Sequence, residues 1–339
     1  MAAANNGEDC MHVLVTGAAG MIGRKLVERL AEEGRIGGAE ITRATLHDIV
    51  APQAPSFAPF TVESIAADFA DPAVPARLVS GKPDLIFHLA AIVSGEAETD
   101  FDKGYAINLD GTRRLFDALR ALGDDGTYHP RIVYASSVAA FGAPLPDLID
   151  DEFLQAPLTS YGTQKVIGEL LLTDYTRKGI FTGIGIRLPT ICVRPGKPNK
   201  AASGFFSNII REPLAGHEAV LPVDESVTHW HASPRSAIGF MMHAATLDSE
   251  KIGPRRNLNM PGVRATVGEQ IEALRRIAGE NVVARIRREP DEMIRAIVGN
   301  WARGFSPKRA LALGFTADES FEAIIRTHIE DELGGEFVR

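Results

Sequence analysis

A strand, a glycine turn and a helix follow one another directly near the start of this chain, and that succession constrains the fold most. "HVLVTG" is a short apolar run of the kind a buried strand requires. "TGAAGMIG" places glycines at positions 17, 20 and 23, and "MIGRKLVERLAEEG" then carries helical periodicity. Glycine at these positions permits a tight turn, close approach of another group to the backbone, and close packing of helix on strand. A helix opening at such a turn presents free N–H groups and a partial positive charge to an anion.

The alternation continues along the chain. "EITRATLHDI", "FTVESIAAD", "PDLIFHLAA", "RIVYASS" and "FTGIGIRLP" read as further strands. "DPAVPARLVSG", "DFDKGYAINLDGTRRLFDALRALG" and "SYGTQKVIGELLL" read as the helices between them. Strands alternating with helices predict an α/β fold, a doubly wound parallel sheet. After about residue 190 the regularity breaks. "VRPGKPNKAASG" reads as a loop; "TVGEQIEALRRIAG" and "SFEAIIRTHIEDELG" read as helices; "EAVLPV", "RNLNMPG" and "VVARIRR" read as short strands. This part is expected to form a smaller C-terminal α/β lobe.

With the turn read as a pyrophosphate cradle, the ligand is a dinucleotide. Asp48 ends the second strand, where an acid accepts hydrogen bonds from ribose hydroxyls and repels a 2′-phosphate, so the expected cofactor is NAD. Asp68 ends the third strand, placed either to meet the adenine amino group or to cap the next helix. The cofactor residues that the turn, the acids and the helix give directly are Gly17, Gly20, Met21, Ile22, Gly23, Asp48, Asp68, Tyr161 and Lys165. The chain is expected to divide into a flexible tail over 1–10, an NAD-binding domain over 11–190 and a mainly substrate-binding lobe over 191–339. Some segments of that lobe are expected to return to the first domain.

Tyr161 and Lys165 stand four residues apart, on one face of the helix that follows the fifth strand. Ser136 and Ser137 end that strand, at the carboxyl edge where open α/β sheets bind their ligands. Oxidising an alcohol needs a base for the hydroxyl proton while hydride leaves. A free phenol, with a pKa near 10, is a poor base at neutral pH. A nearby ammonium is expected to favour the phenolate, and a serine hydroxyl to orient the substrate oxygen.

Composition narrows the partners. The 36 basic residues against 44 acidic ones give a net charge of −8, with no dense basic run, so no nucleic-acid partner is expected. Cys10 and Cys192 show neither metal-site spacing nor a disulfide framework, which fits a reducing compartment. "MAAANNGEDC" lacks the features of a signal peptide, and no apolar run reaches the roughly 18 residues of a membrane span. A cytoplasmic location without membrane attachment is expected. His12, His88, His217, His229, His231 and His243 show no metal-ligand spacing.

These motifs together resemble the extended short-chain dehydrogenase/reductase superfamily, the NAD-dependent epimerase/dehydratase group. "TGAAGMIG" resembles its glycine motif, "HLAA" at residues 88–91 the segment lining the cofactor, and Asn108 in "INLDGT" its structural asparagine. "ASSVAAFG" resembles its serine motif, with Ser137 at the catalytic position; "YGTQK" resembles its Tyr-x-x-x-Lys, and "SPKRALALGF" its closing motif. The resemblance implies a Rossmann-type domain with a smaller substrate lobe, further cofactor contacts from Phe69, Leu89, Ala90, Ala91, Asn108 and Leu188, a Ser137–Tyr161–Lys165 catalytic set, and a homodimer through the helices carrying Asn108–Leu119 and Tyr161–Leu172.

Two departures bear on the substrate. Members acting on nucleotide sugars often carry an asparagine where this chain has Thr190, and a diphosphate-gripping arginine where it has Val227. Ser233 and Pro234 also replace the acidic pair after His231. Losing an expected cation argues for a smaller substrate. "RLPTICVRPGKPNKAASGFFS" instead resembles the D-erythronate dehydrogenase family, which implies NAD-dependent oxidation of the C2 hydroxyl of a four-carbon sugar acid. A carboxylate needs a cationic clamp, and Arg187, Arg194, Lys197 and Lys200 all qualify. Thr190, Asn199, Ser203 and Phe205 are further candidates for the pocket wall beside Ser137 and Tyr161.

Overall fold

The computed structural model describes residues 10–196 and 203–339. The strand Cys10–Thr16 takes Cys10 out of the expected tail. It lies at the centre of an eight-stranded sheet. On one side it pairs in parallel with Ala39–Asp48, whose far edge carries Thr61–Ala66 in parallel and Arg35–Ile36 antiparallel. On the other side follow Leu85–His88, Arg131–Ser137, Thr182–Leu188 and Asn257–Asn259, all parallel. The chain thus builds outward in one direction and then restarts beside its first strand. The crevice between Cys10–Thr16 and Leu85–His88 is the topological switch point, the place where such sheets bind ligands.

Both faces of the sheet are covered, which explains strands that are apolar at nearly every position. Val13, Val15, Phe87 and Val133 point into one core, shared with Leu26 and Leu30 of the helix Met21–Glu33 and with Phe240 and Met241 of the helix Pro234–Thr246. Leu14, Ile86, Ile132 and Tyr134 alternate with them and point into the opposite core. That core holds Leu78 of Ala73–Val79, Phe116 of Thr112–Leu122 and Leu172 of Ser160–Arg177. A third core joins Phe206 and Ile210 of Gly204–Leu214, Leu274 of Val267–Ala278 and Ile325 of Phe321–Leu333.

Three local expectations change. Asn257–Asn259, read as part of the C-terminal lobe, is the last strand of the main sheet. Val282 and Val283 lie in a short helix, Glu280–Val283, and only Ile286–Arg288 of "VVARIRR" is a strand. The helix read over residues 100–123 is divided, with a π-helical stretch Tyr105–Gly111 between Phe101–Gly104 and Thr112–Leu122. Ser233 and Pro234 have a structural task. Ser233 accepts a hydrogen bond from the Ser236 N–H at 3.0 Å and caps the helix that Pro234 opens.

The glycine turn is held at the switch point by hydrogen bonds from the Gly17 and Ala18 N–H groups to His47 O, at 2.8 and 3.0 Å, and by close packing. Gly17 has φ +78°, and a Cβ there would stand 2.8 Å from both Leu89 C and Ala90 N. A Cβ at Gly23 would stand 2.1 Å from Gly17 O and 2.7 Å from Ala18 Cα, so the helix cannot carry a side chain where it crosses the turn. At Gly20 the nearest atom is Gly17 O, at 3.3 Å. Gly23→Ala is therefore expected to cost about 1–3 kcal/mol, and Gly20→Ala clearly less. Thermal melts of the two variants followed by circular dichroism measure the difference; equal melting temperatures would refute this packing argument.

Candidate active site

The turn leaves an anion site open. The helix Met21–Glu33 begins after Gly20, whose extended backbone brings no side-chain cap, so its first N–H groups have no capping oxygen. Met21 and Ile22 are half-buried in that first turn. Asp48 is anchored to the turn itself: Oδ2 accepts from the Ala19 N–H at 2.9 Å, and Oδ1 from the Ile49 N–H at 2.7 Å. Each oxygen keeps a further acceptor site. Asp68 is exposed and accepts from the Ala70 N–H at 2.9 Å. It does not take its alternative task as a helix cap: Pro72 precedes the helix Ala73–Val79, which has no side-chain cap, and Asp71 accepts from the Ala73 N–H. The Phe69 ring is buried between His47 and His88, so only its backbone faces outward.

The far wall of the crevice hangs on Asn108, which lies in the π-helical stretch. Its Oδ1 accepts from the Ile92 N–H at 2.9 Å, while Nδ2 donates to Ile92 O at 3.2 Å and to Gln164 Oε1 at 2.7 Å. Asn108 thereby clamps the loop after Leu89, Ala90 and Ala91 to the helix bearing Tyr161 and Lys165. Buried His88 connects the same parts. Thr112 gives its single hydroxyl hydrogen to Asn108 O, so it must accept from His88 Nε2 at 2.8 Å. His88 Nδ1 then accepts from Thr16 Oγ1 at 2.8 Å, and Thr16 accepts from the Ala90 N–H. Burial holds the ring neutral, lowering its pKa to about 3.

Ser137, Tyr161 and Lys165 come together at the carboxyl ends of the strands. Gly162 permits this approach, since a Cβ there would stand 2.2 Å from Ala139 O in the turn that follows Ser137. Thr159 caps the helix by accepting from the Gly162 N–H. Ser136 points the other way and donates to buried Glu169. Lys165 is buried, and its ammonium donates to Ala135 O at 2.8 Å, 4.9 Å from the Tyr134 ring centre and 5.6 Å from that of Tyr161. The expectation that this ammonium lowers the phenol is corrected. Burial raises the pKa of Tyr161; the Ser137 hydroxyl and the Arg194 guanidinium pull it back, while Lys165 is engaged at Ala135 O.

The cationic candidates separate. Arg187 is closed inside the protein. Its Nε and Nη2 donate to Glu169 at 2.7–3.1 Å and its Nη1 to Asn259 Oδ1 at 3.0 Å, so it leaves the set of possible clamps. Lys197, Asn199 and Lys200 lie outside the described residues. Arg194 donates from Nε to Ile191 O and from Nη2 to Ser203 Oγ, both at 3.0 Å, and among the described residues it forms no ion pair with a carboxylate. Ser203 thus holds Arg194, and Phe205 is buried in the C-terminal core. Thr190 is half-buried and shares a hydrogen bond of 2.7 Å with His229 Nε2. Leu188, also half-buried, ends its strand two residues before Thr190.

A family model described as "NAD dependent epimerase/dehydratase family" matches residues 13–232. The chain belongs to this family. Among relatives, it is 45% identical over 325 residues to a D-erythronate dehydrogenase of Cupriavidus necator, covering 95% of this chain and 98% of that one. It is 40% identical over 323 residues to a D-erythronate dehydrogenase of Haemophilus influenzae, covering 95% and 100%. Among solved structures, it resembles the crystal structure of a nucleoside-diphosphate-sugar epimerase from Agrobacterium tumefaciens, with a TM-score of 0.96, 62% identity and 99% of both chains covered. The open anion site and Asp48 fit the NAD that the family description specifies. No helix among the described residues is long and apolar enough to cross a membrane.

Glu169 and Gln164 escaped the sequence reading, and His229 entered it only as one of six histidines without metal-ligand spacing. A signal existed for Glu169, because it continues the i, i+4 row of Tyr161 and Lys165 as an acid inside an apolar helix. Burial lowers the Lys165 pKa from 10.5 to about 8, with Glu169 opposing. Between those values the unfolded chain binds more protons than the folded one, so stability rises with pH across that window and the penalty is full below it. The gain amounts to roughly 3 kcal/mol. Urea titrations across the window are expected to show this rise in the parent protein and its loss in Lys165→Met; parallel curves would overturn it.

Proposed function

We propose that this protein oxidises the C2 hydroxyl of D-erythronate to 2-oxo-D-erythronate with NAD. The observation that carries the reading is Arg194, a guanidinium fastened to Ile191 O and Ser203 Oγ with no carboxylate partner among the described residues, whose charge favours the Tyr161 phenolate. Such a group suits one carboxylate of a small acid. The two relatives described as D-erythronate dehydrogenases support the same substrate. NAD, held by the first turn of the helix Met21–Glu33 and by Asp48, would supply the hydride acceptor. Tyr161 takes the proton of the C2 hydroxyl at Oη, and Ser137 orients that hydroxyl. The Arg194 guanidinium and the Ser137 hydroxyl favour the phenolate against the burial that opposes it. The reading extends to a cytoplasmic homodimer. Two unpaired cysteines support the compartment. Leu170, 61% exposed on the helix Ser160–Arg177, supports a partner surface that sedimentation equilibrium can check.

A second reading, a nucleotide-sugar epimerase, rests on the description of the Agrobacterium tumefaciens protein. It requires tight binding of a UDP or dTDP sugar and no net change in cofactor redox state. The two readings separate in one assay. NADH absorbance is expected to grow with D-erythronate in a panel that includes L-threonate, D-threonate and L-erythronate. Tyr161→Phe should lower kcat by a factor on the order of 10²–10⁴ while NAD binding stays close to normal. No NADH from any acid, together with binding of a nucleotide sugar, would transfer the assignment to the epimerase. Arg194→Met is expected to raise KM for the acid by roughly tenfold to a hundredfold with a much smaller change for NAD. A KM left at the parent value would remove Arg194 as the clamp.

A further inference from the structure

The hydrogen bond between Thr190 and His229 has a direction, and that direction limits what Thr190 can bind. His229 is 2% exposed, and its ring is fixed on several sides. It stacks on Phe206 with ring centres 5.2 Å apart at 6°, meets His231 edge-on and lies against Trp301. Its Nδ1 sits 2.9 Å from Ala302 O. A carbonyl only accepts, so Nδ1 carries the ring hydrogen. Burial keeps the imidazole neutral, with a pKa lowered to about 4. Nε2 is then a bare lone pair, and Thr190 must donate its hydroxyl hydrogen to it across the 2.7 Å contact. With that hydrogen spent, the threonine oxygen can only accept from a ligand.

Thr190 neighbours the proposed clamp, since Arg194 Nε donates at 3.0 Å to the carbonyl of Ile191, the residue after it. It follows the strand that ends at Leu188, and it pairs with His231 in the neighbouring strand Thr228–Ala232. Arg194 itself is held from the other side by Ser203 Oγ, which accepts from Nη2 at 3.0 Å. On the reading above, the carboxylate lies at Arg194 and the C2 hydroxyl at Tyr161 and Ser137. A four-carbon sugar acid then has two groups left, the hydroxyls at C3 and C4. We infer that Thr190, oriented by His229 and Ala302, is a specificity-determining acceptor for one of these two hydroxyls. It welcomes a hydroxyl and offers nothing to a methyl, a methylene or a carbonyl oxygen at that place.

This inference rests on the proposed dehydrogenase activity, and the test separates the two. kcat/KM is measured for D-erythronate and for its 3-deoxy and 4-deoxy analogues, with the parent protein, Thr190→Val and Thr190→Ser. The parent is expected to prefer D-erythronate over one of the two analogues by roughly tenfold to a hundredfold. Thr190→Val should bring that ratio close to one, and Thr190→Ser should restore it. A parent that oxidises D-erythronate and both analogues equally well overturns the assignment without any variant. So does a Thr190→Val that keeps the parent's ratio. If Thr190→Val weakens all three acids alike and raises KM for NAD, the acceptor serves the cofactor and the assignment is again wrong. Failure of the parent to oxidise any of the acids removes the activity itself, and this inference with it.

Discussion

A buried carboxylate organises the half of the molecule on which the proposed chemistry stands. Glu169 is fully buried, and it accepts from Ser136, Gln155 and two nitrogens of Arg187. Ser136 belongs to the strand that ends at Ser137. Arg187 belongs to the next strand and passes the network on through Nη1 to Asn259 in the last one. Asn259 in turn donates to Asp150 O. One side chain of the Tyr161 helix therefore sets that helix against three successive strands. A buried pair of this kind is weak evidence of net stability, since desolvation offsets attraction. Its effect is positional, because removing either partner leaves the other charge buried and uncompensated.

The cofactor side is built differently, from neutral groups with one permitted direction of donation. Ala90 N–H, Thr16, His88, Thr112 and Asn108 O form a chain in which each hydrogen position follows from the last. Asn108 extends it to Ile92 and Gln164. The chain spans the topological switch point, so the strand before the glycine turn and the opposite loop are held in one register without any charge. A fixed crevice suits a cofactor bound mainly through backbone N–H groups, whose value depends on being aimed beforehand. Charge enters where the substrate would, at Lys165 and Arg194. Two neighbouring regions of the protein thus use different physics for different tasks.

Much of this was legible in the residues. The glycine spacing, the alternation of strands and helices, and the Tyr161–Lys165 pair follow from local rules of sterics and periodicity. Three of the misreadings were a matter of partners distant in sequence. Arg187 looked like a clamp until Glu169 and Asn259 closed around it. The effect of Lys165 on Tyr161 looked attractive, but burial acts on the phenol more strongly and the ammonium has its own carbonyl. The π-helical stretch that aims Asn108 was not legible, because seven residues are too few to show a change of helical period. Asn257–Asn259 gave a strand by itself but not the sheet it would join.

The sequence by itself determined the parallel α/β architecture, the glycine turn and the identity of the polar residues at the carboxyl edge. These depend on backbone sterics and on which side chains stand three or four residues apart. Only the tertiary structure decided which of those residues are spent on one another and which remain for a ligand. A cation's availability depends on the carboxylate it meets, and a hydroxyl's role on where its one hydrogen goes. Glu169 consumes Arg187 and leaves Arg194, and His229 consumes the hydrogen of Thr190 and leaves its lone pairs. Those pairings join residues up to tens of positions apart, so they exist only once the chain has folded.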